Sequence, residues 1–234
     1  SDTVCFPAKL VHGHIRNLAK HGVDRIFMPS VTTVPTENGE ETSESMCAVV
    51  KGYPIVIRNS DDPEKRWGIP FDAPLFHWYT KEDRNRQLSH YMAETFGVPE
   101  EETLAAIGAG DAAQETFERV LKRGGEAVLD MVRREGKFAV VLASRPYQND
   151  VLVSHDLPKL FTRAGSPVLT ADSLPEVNET DLKKSRLDIG HNFHARMGKS
   201  AILAARDDNL EYVTMVRCGW GRDSQLAGEI GGLM

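Results

Sequence analysis

Lys137-Phe138-Ala139-Val140-Val141-Leu142-Ala143, followed by Ser144-Arg145-Pro146-Tyr147-Gln148-Asn149-Asp150, is the stretch whose reading decides the fold. The first seven residues form an apolar run of strand length, and the next seven carry turn chemistry. Val153, Leu157, Leu160, Phe161 and Ala164 follow at the spacing of one buried helix face, and Pro158 predicts a helix start or a kink nearby. Gly165 stops that helix, and Pro167-Val168-Leu169-Thr170 reads as a second strand. Strand, loop, helix and strand in this order make a βαβ unit with a parallel pair. A strand apolar on both faces implies helices on both sides of the sheet. Ligands of such sheets sit at the carboxyl ends of the strands, so Ser144 to Asp150 is the first place to look for function.

Outward from that unit, the chain alternates helix and strand signals. Pro7 opens a helix with Val11, Ile15, Leu18 and Ala19 on its apolar face. A strand is predicted near 24–29, stopped by Pro29-Ser30, and Val31 to Met46 reads as a polar surface loop. Ala48-Val49-Val50 is the centre of a predicted strand at 47–52, ended or bent by Tyr53-Pro54. Asn59 to Pro74, rich in proline and charge, reads as a connector. Lys81 to Glu135 reads as helix throughout, with Pro99 opening its second part and a soft point at Gly124-Gly125. Gly108-Ala109-Gly110-Asp111-Ala112-Ala113 has the letters of a dinucleotide fingerprint but lacks the strand that must precede one. Further strands are predicted at 138–144, 167–171 and 210–217, with a helix from His194 to Arg206 between the last two and another from Ser224. The fold class is α/β: two flavodoxin-like or Rossmann-like lobes with parallel sheets and a helical insert, the first lobe incomplete. The expected divisions are 1–74, 75–136 and 137–234.

A formal charge of −6 argues against a nucleic-acid protein. No apolar run approaches the ~20 residues of a membrane span. Three widely spaced cysteines, Cys5, Cys47 and Cys218, make a poor disulfide framework and suit a reducing cytoplasm. Both ends of the chain look cut from something longer. Cys218 follows a strand in a glycine-rich turn, and Cys5 precedes a helix; backbone N–H groups at such places stabilise a thiolate. Positions i and i+2 of a helix point apart, so His12 and His14 cannot chelate one metal from a regular helix. There is no P-loop and no G-x-S-x-G.

Several segments carry a resemblance. Cys5-Phe6-Pro7-Ala8-Lys9-Leu10-Val11-His12-Gly13-His14 resembles a "CxPAKxxHGH" opening, and Phe27-Met28-Pro29-Ser30 follows the "KGVD"-like His21-Gly22-Val23-Asp24. Met46-Cys47-Ala48-Val49-Val50 with Tyr53-Pro54 resembles "NCPVVxxYP". Val140 to Tyr147, with Asp150, His155 and Leu169 to Ser173, resembles "VVLAGRPYHxD…H…LTEDS", and Val216-Arg217-Cys218-Gly219 resembles "SFGCGPD". These motifs are similar to those of the uncharacterised domain joined to CoA-substrate-specific enzyme activases, a relative of 2-hydroxyacyl-CoA dehydratase subunits.

The resemblance implies a [4Fe–4S] cluster on Cys5, Cys47 and Cys218, converging on one cavity, with one iron left open and Ser30 as its neighbour. It implies an ATP-dependent activase module, in the same or a partner chain, and an acyl-CoA substrate. Gln148 stands where the family has histidine, the Cys218 loop is altered, and a strand-helix-strand that precedes the first cysteine in relatives is missing, so a fragment that has lost its cluster is one expectation. Cys47 precedes its predicted strand whereas Cys218 follows its own, which sets the two at opposite sheet edges. Two other functions stay open: a docking scaffold without metal, and a pocket for a CoA-type anion at Arg145, Tyr147 and His155.

Overall fold

The computed structural model describes residues 5–36, 45–182 and 191–216, with residues 228 and 230. The chain forms two compact units, one of residues 1–35 and 44–108, the other of residues 36–43 and 109–234. Residues 75–136, read from the sequence as one helical segment, are divided between them.

The first unit opens with α1 (Phe6–Lys20), in whose first turn Pro7 fits because no N–H is needed there. β1 (Ile26–Phe27) and β2 (Ser30–Thr33) follow, then α2 (Ala48–Ser60), α3 (Pro63–Trp67), β3 (Phe71–Asp72), β4 (Leu75–His77) and α4 (Lys81–Phe96). β1 pairs with β3 and β2 with β4, both in parallel. The N–H groups of Ile26, Met28 and Ser30 donate to the carbonyls of Pro70, Asp72 and Pro74 at 2.8–2.9 Å, so the two pairs form one ladder. Alternate residues donate to this partner. Pro29, which has no N–H, stands at a position the ladder does not use. The strand predicted to stop at Pro29-Ser30 therefore continues, and Val31 to Thr33, expected in a loop, belong to β2.

The predicted strand at 47–52 is corrected: Ala48-Val49-Val50 is the first turn of α2, with Cys47 as its N-cap. The helix turns Tyr53, Pro54 and Ile57 inward at helical spacing, against a cluster that includes Ile15, Ile26, Ile69 and Phe71. Pro54 removes only the bond to the Val50 carbonyl. In the same turn the Lys51 carbonyl accepts a hydrogen bond from the Ser30 hydroxyl. The predicted connector at 59–74 holds α3 and β3.

α5 (Glu100–Glu135) leads into the second unit, which contains β5 (Ala139–Ala143), α6 (Val151–Ser154), α7 (Leu157–Arg163), β6 (Val168–Thr170), α8 (Asn192–Ala204) and β7 (Leu210–Thr214). The sheet order is β6-β5-β7, all parallel, and every residue of β5 is buried. Ala139 and Val141 meet Leu129 and Val132 of α5, and Ala143 meets Met197 and Ala201 of α8. Val140 and Leu142 point to the other face. A first strand flanked by its two successors is how a flavodoxin-like sheet begins, and it places the switch point between β5 and β7.

The glycine pair in α5 is no soft point. A side chain at Gly125 would place its Cβ 1.9 Å from the Ser173 carbonyl oxygen, so only glycine lets the helix approach that turn. The helix following β5 differs from expectation. It is split by His155 and Asp156, both left-handed, and α7 buries none of its residues, with Leu160 64% exposed. The apolar spacing from Val153 to Ala164 therefore marks no buried face. The fingerprint-like glycines lie inside α5 with no strand before them, as the sequence context requires.

Candidate functional site

Two places gather chemistry, one in each unit. In the first, Cys5 and Cys47 are the N-caps of α1 and α2. Neither thiol makes a cap hydrogen bond to its helix, and both stand at the N-terminal end where backbone N–H groups of the first turn have no partner within the helix. Cys5 is half-buried against the core that holds Tyr53, whereas Cys47 is exposed, and neither forms a disulfide. The strand expected to follow Cys47 is a helix, so Cys47 stands at a helix start and not at a sheet edge. Ser30 is buried, with its hydroxyl on the Lys51 carbonyl.

A chain of polar groups lies behind Cys5. His12, on α1, bonds through Nδ1 to Asp61 Oδ2 and through Nε2 to the Tyr53 hydroxyl at 2.9 Å. Asp61 is 2% exposed and closes the carboxyl end of α2. Burial alone would raise its pKa; hydrogen bonds from His12 and Ser60, with the charges of His12 and Arg16, outweigh that and lower it. Burial, then the charges of Cys5 and Asp61, push the Tyr53 phenol up, so it stays protonated at neutral pH. Lys9, His12, Gly13 and Arg16 share one face of α1 and, with Ser60 and Asp61, line a cleft of about 410 Å³. His14 is exposed on another face. Sequence reasoning considered His12 only as unable to chelate a metal together with His14, and it missed the partners of this side chain. The histidine-glycine-histidine motif marks an inward side chain, yet nothing local joins it to an aspartate 49 residues away.

In the second unit, the carboxyl ends of β5 and β7 lie side by side, since Ala143 pairs with Thr214 and its carbonyl accepts from Met215. The loop after β5 is a 3-10 turn, Pro146–Asn149. Gln148 is buried and its Oε1 accepts the Arg145 N–H at 2.9 Å, which gives the family-divergent glutamine a capping role. The Ser144 hydroxyl donates to Asn149 Oδ1, and Asp150 caps α6. The Arg145 guanidinium reaches His194 Nε2, at 3.0 Å, on the first turn of α8. His194 is buried and was absent from the expected set, whereas His155 is exposed at the end of α6 and Tyr147 is half-buried. A larger cleft, about 640 Å³, opens beside Leu210 at the amino end of β7, away from the switch point.

Cys218 lies outside the described residues, as does the predicted helix start at Ser224. Among the described residues, no three His, Cys, Asp or Glu side chains gather as a metal site. No described helix is long and apolar enough to cross a membrane. No curated protein and no solved structure gives a significant match to the chain. Residues 1–174, which carry the Cys5, Cys47 and Tyr147 segments, match the family described as the CoA enzyme activase uncharacterised domain, and the chain belongs to that family.

Proposed function

We propose that this chain is a cytoplasmic iron–sulfur redox module working with an ATP-dependent activase module, in which Cys5, Cys47 and Cys218 hold a [4Fe–4S] cluster. The observation that carries this reading is the matched placement of Cys5 and Cys47. Both fall on cysteine positions of the family motifs, and both stand at the N-cap of a helix. Helix N-termini favour thiolate over thiol and tolerate the negative charge of a thiolate-ligated cluster. The donor chemistry therefore fits: soft sulfur ligands, one half-buried and one exposed, each at a helix N-terminus. When bound, such a cluster supplies one-electron transfer at low potential, for electron relay or reductive dehydration of an acyl-CoA. The protein's own part is to hold the thiols, with Ser30 keeping α2, and hence Cys47, against β2.

Anaerobic purification with iron and sulfide analysis tests this reading. About four irons and four sulfides per chain, the content of one such cluster, are expected, and Cys5→Ala or Cys47→Ala should lose them. Iron-free protein after reconstitution, with all three thiols open to alkylation, overturns the reading. A docking role is favoured by a different observation, the exposed Phe117 and Val120 on α5. A CoA-type anion would meet Arg145 at the carboxyl end of β5, where guanidinium forks suit phosphate.

A further inference from the structure

Thr32, near the carboxyl end of β2, ties together two groups that lie far apart in the sequence. Its carbonyl accepts from the Met46 N–H at 2.9 Å, one residue before Cys47. Its hydroxyl donates to the Phe76 carbonyl at 3.1 Å, on the neighbouring strand β4, and that uses its only hydrogen. The bond between Thr32 Oγ1 and His77 Nδ1 therefore runs the other way, with the His77 Nδ1–H as donor. This fixes the tautomer. Nε2 of the neutral ring carries no hydrogen, and it has no hydrogen-bond partner among the described residues. The backbone of His77 is held as well. The Gln87 side chain, on α4, accepts from its N–H at 2.9 Å and donates to its carbonyl at 2.6 Å. Three hydrogen bonds thus orient a residue that is itself exposed and buries little in return. An imidazole anchored through one N–H, with the other nitrogen bare, is how proteins present histidine to a metal.

The thiols stand at the same place. β2 and α2 run in opposite senses, since Ser30 bonds Lys51 while Thr32 bonds Met46. Cys47 is therefore beside the carboxyl end of β2, as His77 is. Cys5 packs on the cluster that takes in Val49, two residues beyond Cys47. Ser30, by contrast, is the first residue of β2, and its hydroxyl is committed to the Lys51 carbonyl.

We propose that His77, through Nε2, is the fourth protein ligand of the cluster, on the iron that the three cysteines leave open. The proposal rests on the iron–sulfur reading of those cysteines and replaces Ser30 as the neighbour of that iron. Each iron of a cubane takes its own ligand, so the side chains surround the group and need not converge on one point. Imidazole, unlike a fourth thiolate, adds no negative charge, and histidine ligation raises the reduction potential of an iron–sulfur centre relative to cysteine ligation. Thr32 and Gln87 are positioning residues, acting through the ring and the backbone of His77.

The test uses the chain reconstituted anaerobically with iron and sulfide, reduced, and carrying isotopically labelled histidine. Pulsed EPR of the wild type should show a histidine nitrogen coupled to the reduced cluster, and the coupling should vanish in His77→Gln. Iron-loaded wild type without such a coupling, or a coupling that survives in His77→Gln, overturns the proposal and leaves the iron–sulfur reading standing. His77→Cys supplies a ligand of the other kind. Its reduction potential should fall below that of the wild type, because a thiolate adds negative charge, and an unchanged potential overturns the proposal. Diethyl pyrocarbonate labelling read by mass spectrometry needs no variant. The bare Nε2 should react in iron-free protein and be protected in loaded protein, and equal labelling of His77 in the two states also overturns the proposal. Iron analysis of the same samples tells the two failures apart. Wild type that takes up no iron removes the iron–sulfur reading and this ligand with it, whereas loaded protein without the nitrogen coupling removes the ligand alone.

Discussion

Ala139-Val140-Val141-Leu142-Ala143 and Ala48-Val49-Val50 look alike as sequence, short apolar runs rich in β-branched residues, and they fold differently. The first is the centre of a parallel sheet with all five residues buried. The second is a helix turn in which Val50 is 42% exposed. A short apolar run does not define its own period; the residues on its carboxyl side do. After Ala143 come Ser144, Arg145 and Pro146, which end any regular element. After Val50 the apolar residues run on from Tyr53 to Ile57; of these Tyr53, Pro54 and Ile57 are buried at a helical interval while Ile55 and Val56 are exposed, and Pro54 disguises the helix because proline inside one is rare.

The largest expected effect uses that contrast directly. Leu142→Ala removes a side chain that is 1% exposed in the central strand, and should cost ~2–5 kcal/mol by urea denaturation. Val50→Ala replaces a half-exposed residue by the best helix former, and should stay within ~0.5 kcal/mol of wild type. A loss above ~1.5 kcal/mol, the scale of burying one valine, would mean that Val50 is buried as in a strand and would break the comparison.

Legibility in the sequence divides along the same line. The β5–β6 pair, the strand near 210–217 and the helices from Lys81 to Glu135 were plain because long periods or fully apolar runs leave one interpretation. The pairing of β2 with β4 was hidden by Pro29, and the helical state of 48–60 by Pro54, since each proline reads locally as a stop. At the candidate site, Cys5, Cys47, Ser30 and Arg145 were visible from motif and turn chemistry. Asp61 and His194 were not, because their partners are brought to them only by the packing of α1 on α2 and of α8 on β5.

Gly125 sharpens the comparison from the side of the second unit. Gly125→Ala would force a Cβ to 1.9 Å from a backbone oxygen, so α5 or the Ser173 turn must move. Helix propensity favours alanine by ~1 kcal/mol, but overpacking should win, for a net loss of about 1–3 kcal/mol. Gly124→Ala, with open space at its Cβ, should be neutral or stabilising by thermal denaturation. Equal behaviour of the two variants would refute the close approach.

In the first unit the corresponding buried element is polar. Asp61 has a lowered folded pKa, so the stability it contributes is complete above its unfolded value of 3.8 and is lost as pH falls through the lower folded value. Asp61→Asn should cost about 1–3 kcal/mol at neutral pH, the range for a buried polar group that loses its partner, and should flatten the acid limb of the stability profile. An unchanged acid limb would show that another carboxylate carries it.

The smallest effect decides most about Ser30. Its hydroxyl donates to the Lys51 carbonyl, in the turn where Pro54 leaves the helix one bond short. Ser30→Ala should therefore cost about 0.5–1.5 kcal/mol, the net value of one hydrogen bond. Because β2 and α2 are held together there, the loss should appear as faster amide exchange in the first turns of α2, which carry Cys47 at their start. Iron content after anaerobic reconstitution supplies the second measurement. A hydroxyl committed to the Lys51 carbonyl gives a fall in stability, with iron content falling only as far as α2 and Cys47 loosen. A hydroxyl that serves an open iron gives the reverse, unchanged stability with altered iron content, and would move Ser30 from the scaffold of α2 to the site itself.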